Sequence, residues 1–185
     1  MAETTVWEID PAHTAVEFAV KHMMFTTVRG RFKDVKGTIE VDEQSPDRST
    51  VQVEIAAASI DTGVADRDTH LRSADFLDVE NHPAIRFRSK RIEGAMKKEG
   101  DRFSVIGDLT IRGTTMEVQL DCQYEGTGTD PRGGTRSGVR ATTKIDRRDW
   151  GLQWNQALEA GGILVANDVR IELEVQAVKS VPVPG

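Results

Sequence analysis

A two-residue alternation of apolar and polar side chains runs through most of this chain, and it constrains the fold more than any other feature. Val51-Gln-Val-Glu-Ile55, Met116-Glu-Val-Gln-Leu-Asp-Cys-Gln-Tyr124 and Val169-Arg-Ile-Glu-Leu-Glu-Val-Gln-Ala177 carry it most clearly. Weaker runs cover 15–20, 38–41, 85–89, 103–111 and 139–145. A strand sends successive side chains to opposite faces, so each run gains one apolar and one wet face. A parallel sheet covered on both sides would instead show near-continuous Val/Ile runs, and none is present.

Turn chemistry separates the runs, at 42–47, 94–101, 112–115 and 126–134. The count is about eight strands, or nine with Val6–Ile9, joined mostly by hairpins. Alternation alone allows a sandwich or a barrel. Hairpin succession favours an up-and-down barrel, because closure removes exposed strand edges. The expected architecture is therefore an all-β, single antiparallel eight-stranded barrel, one domain over 1–185, with a short helical cap. Parity points Val16, Phe18, Val20, Val53, Ile55, Phe87, Val105, Val118, Leu120, Ile171 and Leu173 inward. Two connections are long, 61–84 and 146–167, and loops of that length are often functional. The first mixes Arg67, Asp68, His70 and Arg72 with apolar Leu71 and Phe76, a composition suited to capping one barrel end. In the second, Asn155-Gln-Ala-Leu-Glu-Ala160 predicts one helical turn, stopped by Gly161-Gly162.

The chain has 185 residues, a formal net charge of −6 and a single cysteine, Cys122. The acidic balance argues against non-specific nucleic-acid binding, which needs a basic face. Arg147-Arg148 reads as solvated surface. The N-terminal residues show no signal peptide, and no apolar run reaches the roughly 20 residues of a membrane span. A cytoplasmic location is the resulting expectation. Asp61-Thr62-Gly63 matches the aspartic-protease triplet, which works only as two carboxylates sharing a proton. A single copy would need a homodimer, and a turn at a strand end explains the triplet as well. Asp66, Asp68 and His70 lie close enough in sequence to share a surface and read as a hydrogen-bonded cluster with Arg67 and Arg72, with a shared metal as the alternative. Serine-nucleophile, P-loop and dinucleotide signatures are missing. Cys122 falls on an apolar strand face and reads as inert core.

Taken in order, several segments resemble the YceI-like family of polyisoprenoid-binding, lipocalin-like barrels. They are Ile9-Asp-Pro-Ala-His13, Val28-Arg-Gly-Arg-Phe32, Ser59-Ile-Asp-Thr62, Arg67-Asp-Thr-His-Leu-Arg-Ser-Ala-Asp-Phe76, Pro83-Ala-Ile-Arg-Phe87, Gly107-Asp-Leu-Thr-Ile-Arg-Gly113 and Arg147-Arg-Asp-Trp-Gly151. The resemblance implies a barrel with a long isoprenoid or similar lipid in its bore. It implies no protease chemistry at Asp61, no enzyme activity, no cofactor and no metal. The expected ligand contacts are the inward set above, with His22, Phe32, Arg67, His70, Leu71, Phe76 and Trp150. Arg67, His70 and His22 are the candidates to meet a polar head group. The expected partner is a long-chain isoprenoid or other apolar small molecule; a homodimer stays open. The alternatives are a ligand-free barrel serving as a protein-interaction scaffold and, last, the protease-like enzyme.

Overall fold

The computed structural model describes residues 4–94, 96–158 and 164–180. Eleven strands are present: β1 (Thr4–Ile9), β2 (Ala15–His22), β3 (Thr26–Phe32), β4 (Val35–Asp42), β5 (Thr50–Ala56), β6 (Ile60–Asp61), β7 (Ala84–Gly94), β8 (Arg102–Ile111), β9 (Thr114–Thr129), β10 (Thr135–Asp146) and β11 (Asp168–Lys179). Every pairing is antiparallel. Six of the eleven are halves of longer strands. β1 and β2 lie on the same side of β11, broken by a 3-10 turn at Pro11–His13. β3 and β4 follow them as partners, and β5 and β6 follow those. The eleven segments thus form eight strands, each beside its neighbour in sequence, and β11 returns to β1 and β2 to close the ring. This is the expected eight-stranded up-and-down barrel.

One cost of the break between β1 and β2 is local polar structure. Asp10 caps the 3-10 turn by accepting from the Ala12 amide at 2.9 Å, and it pairs with Arg136 Nη1 at 2.7 Å and His13 Nδ1 at 2.8 Å. Arg136 also holds Asp130. The Arg136 guanidinium, with His13 second, holds the Asp10 carboxyl down at about 2.

Strand β3 carries a gap in its apolar pattern at Gly30. A Cβ there would lie 2.3 Å from Phe18 Cζ, so glycine is what lets the Phe18 ring cross the strand. Strand β9 runs on through Gly126-Thr-Gly-Thr129, which the sequence suggests is loop. The extra length is accommodated by an irregularity at Gly138/Val139 and a positive φ at Gly126, as bulges require. The loop that remains covers 130–134.

The meander sends both long connections to the same end of the barrel, together with the β2–β3 and β8–β9 hairpins. The first connection contains α1 (Ala65–Arg72), one short helix that could not stand alone in water. Polar anchors fix it. Asp68 is buried and accepts from the Thr62 amide and hydroxyl; Arg67 donates to Thr62 Oγ1 at 2.7 Å and Thr62 O at 2.8 Å. Arg72 donates to Ala58 O and Ile60 O. Beyond the helix, Phe76 and Leu77 are buried with Ile60, Ile85 and Ile111. Each such side chain stabilises by about 1.5–3 kcal/mol when fully buried.

The two hairpins at this end differ in length: β8–β9 turns on Arg112-Gly113 alone, whereas β2–β3 has the three-residue loop Met23-Met24-Phe25. Each nevertheless holds two consecutive residues at positive φ, Arg112-Gly113 and Met23-Met24, a geometry that favours Asn-Gly. Glycine suits that geometry; methionine does not, at roughly 1 kcal/mol or more per residue.

In the second connection the helical turn expected at 155–160 does not form over Asn155–Leu158; 159–163 lie outside the described residues. Asn155 is the physical reason. Its side chain donates to Val165 O at 2.7 Å and accepts from the Val165 amide at 3.0 Å, locking an extended crossing of the chain. Residues 164–166 then continue the sheet beside β2, with Met23 N bonded to Leu164 O and Ala166 N to Lys21 O.

Candidate functional site

The bore is not filled by its own side chains. It keeps a cavity of about 620 Å³, within the size range of small-molecule sites, roughly 300–1,000 Å³. All eleven residues placed inward by parity line it: Val16, Phe18, Val20, Val53, Ile55, Phe87, Val105, Val118, Leu120, Ile171 and Leu173. Every register assignment therefore fell on the right face, where a one-residue slip would have inverted a strand. Phe32 lines the cavity too, its ring 5.6 Å from that of Phe18.

The polar part of the lining is concentrated at the end where the long connections meet. Lys21, His22, Thr62, Asp66, Arg67, His70 and Arg147 all contribute there. Asp66 is exposed as well as lining, so the cavity reaches solvent at the start of α1, at the end where β2 finishes. The segment expected to cap the barrel does so, with Leu71, Phe76 and Leu77 closing the lining beneath α1. His70 stands edge-on to Phe76 and Trp154, with ring centroids at 5.1 Å and 4.6 Å. Its Nε2 meets Asp75 at 2.8 Å.

Two expectations need correction, those for Trp150 and Arg147. Trp150 does not line the cavity. It sits in a 3-10 turn, Arg147–Trp150, and is 2% exposed within the core, where its indole N–H donates to Leu109 O at 2.9 Å. The Asp66, Asp68 and His70 metal group does not form: Asp68 turns to Thr62 and His70 to Asp75, and no metal-holding group occurs among the described residues. Arg147 is not solvated surface. It is 5% exposed, and donates to the carbonyls of Ala166, Leu152, Trp154 and Val165, tying the second connection together. Its neighbour Arg148 is exposed and pairs with Asp146. Sequence reasoning missed many of the lining residues; among them Arg147, Leu152, Trp154 and Val165 lie on no alternating strand and could not be found by parity.

Asp61 is a turn residue in its contacts. It accepts from the Gly63 amide at 2.9 Å and pairs with Lys33 at 3.2 Å, and these two partners, in that order, hold its carboxyl below the ordinary range. A shared-proton dyad needs the opposite, a second carboxylate pushing one acid up. Cys122 faces the cavity from the core, and burial pushes its thiol up to about 12, well away from a reactive thiolate.

Fold and cavity together define a class: closed antiparallel up-and-down barrels that keep an apolar cavity in the bore, with polar groups at one end. Comparison with known proteins narrows it. A family model, the YceI-like domain, matches residues 7–177, and the chain belongs to that family. The protein YceI of Escherichia coli O157:H7 is 40% identical over 141 residues, covering 76% of this chain and 72% of that one. The YCEI protein of Campylobacter jejuni superposes with a TM-score of 0.73 at 27% identity, over 87% of this chain and 90% of that one. A polyisoprenoid binding domain from Saccharophagus degradans, implicated in plant cell wall breakdown, shares the fold at a TM-score of 0.66 and 14% identity, over 97% and 100% of the two chains.

Proposed function

We propose that this protein binds and carries a long apolar chain of the polyisoprenoid kind in its bore, as a binding protein rather than a catalyst. The observation that carries the reading is the cavity itself: apolar along the strands, open, and polar at one end. A hydrocarbon gains about 0.8 kcal/mol for each CH₂ removed from water, offset by the ordering of the chain and the loss of its free motion. Such a bore selects for an extended apolar shape, and a few polar groups near the mouth set orientation. His22 and His70, both in the lining, are the residues that would meet a polar head, His70 with its Nε2 already paired to Asp75. Arg67 contributes less freely, since Thr62 already engages two of its nitrogens.

Trp154 lines the cavity and provides the readout. Titration with a polyprenol should shift its fluorescence and saturate at one chain per barrel. Ala141→Phe puts a ring into the bore from β10 and should weaken binding at least tenfold. An Ala141→Phe protein that melts normally and binds polyprenol as well as wild type would sink the proposal.

A further inference from the structure

Large exposed apolar side chains are distributed unevenly over this barrel. Among the described residues they are Val6 at 36%, Met23 at 41%, Met24 at 64%, Phe25 at 82%, Val64 at 47% and Met116 at 39% exposed. Five of these, all but Val6, fall at the end that carries the cavity mouth. Three are consecutive and form the tip of the β2–β3 hairpin, immediately after the lining residues Lys21 and His22. Val64, the residue before α1, is exposed at the same end, two residues from the lining residue Asp66. Met23 and Met24 hold this tip with two positive φ angles that Asn-Gly would satisfy without strain. Exposure and backbone strain therefore coincide on one apolar loop at the mouth.

The outer wall below the tip is basic. Arg29 on β3 and Arg170 on β11 flank Ala19 of β2, and Lys21 is the next outward residue of β2 toward the tip. None of the three is in an ion pair among the described residues; Asp168 of β11, in the row of Lys21, pairs with Lys144 at 3.7 Å, and the acids Glu17 and Glu172 come one row farther from the tip than the arginines. At about 3.3 Å per residue, Lys21 lies roughly 7 Å behind Met23, and the arginine row roughly 13 Å behind it. Apolar elements at a bilayer interface bury about 5–10 Å deep. An inserted tip would thus bring first Lys21 and then the two arginines to head-group level.

We infer that the β2–β3 hairpin tip, with Val64 at the same end, docks this protein on a lipid bilayer, opening the bore directly onto the membrane. The inference rests on the proposal that the cargo is a lipid, since such a chain has no appreciable path through water. A second copy of this chain fits less well, because the tip protrudes as a loop and the cations beneath it would face their own copies.

The test uses the whole protein without cargo, so that it fails or succeeds separately from chain binding. The probe is sedimentation with vesicles of phosphatidylcholine and phosphatidylglycerol. Wild type and Val6→Ser should cosediment equally. Met24→Ser/Phe25→Ser should lose at least tenfold in partition, with an unchanged melting temperature and unchanged polyprenol binding in solution. Wild type that stays in the supernatant, or a double variant that partitions like wild type, would overturn the docking. So would a concentration-dependent dimer that the double variant dissolves while neither protein meets vesicles.

Discussion

Asp10, half-buried, does more for this fold than a turn residue ordinarily would. It holds the 3-10 turn between β1 and β2, and through Arg136 it ties that turn to Asp130 at the loop after β9. Its carboxyl is held at about 2, below its ordinary 3.8. A depressed acid stabilises the folded state above its unfolded value and loses that contribution as pH falls through the folded one. Wild type should therefore lose stability between about pH 4 and pH 2 more steeply than Asp10→Asn, and thermal melts across that window will show it. At neutral pH the same variant should be less stable by roughly 1.5–3 kcal/mol, the range for a hydrogen bond to a charged group. Trp150 makes a second test of polar satisfaction. Trp150→Phe leaves Leu109 O without its indole donor in the core and should cost about 1–3 kcal/mol by denaturant titration. Polyprenol binding should hold, because Trp150 stands outside the cavity.

At the scale of elements, the β2–β3 hairpin is where stability and exposure conflict. Replacing Met23-Met24 by Asn-Gly should relieve two strained residues and add about 1–2 kcal/mol, or roughly 2–8 °C in melting temperature. A lower melting temperature would show that the methionines do more for the fold than their exposure indicates. The strands that were legible in the sequence are those whose alternation is unbroken, such as β5, β9 and β11. β3 was not, because Gly30 replaces an apolar residue so that Phe18 can lie across it. β6 is two residues long, too short to show any period. The breaks that divide three barrel strands into halves were also hidden, since Pro11–His13 reads as a turn and not as an interruption within one strand. The inward face was legible on the strands whose alternation is clear, because parity is a local property, but not on β3 and β4, whose Val28, Val35, Ile39 and Val41 also line the bore. Its polar end was only partly so: α1 announces itself by composition, whereas Arg147 and Trp154 arrive by tertiary packing of an irregular segment.

The whole molecule is an eight-stranded ring with its two long connections gathered at one end. That arrangement separates tasks. The strands supply an apolar bore with the rigidity of a closed sheet, and the connections supply the polar groups and the opening. Both proposals depend on the bore being occupied by a chain, and lipid retention measures this most directly. Native mass spectrometry of the protein incubated with a polyprenol, with Leu120→Trp/Leu173→Trp as the blocked barrel, reads occupancy one molecule at a time. The account predicts wild type carrying one polyprenol, and the blocked variant folded and empty. Wild type that carries none, or a folded blocked variant that carries as much as wild type, would contradict it.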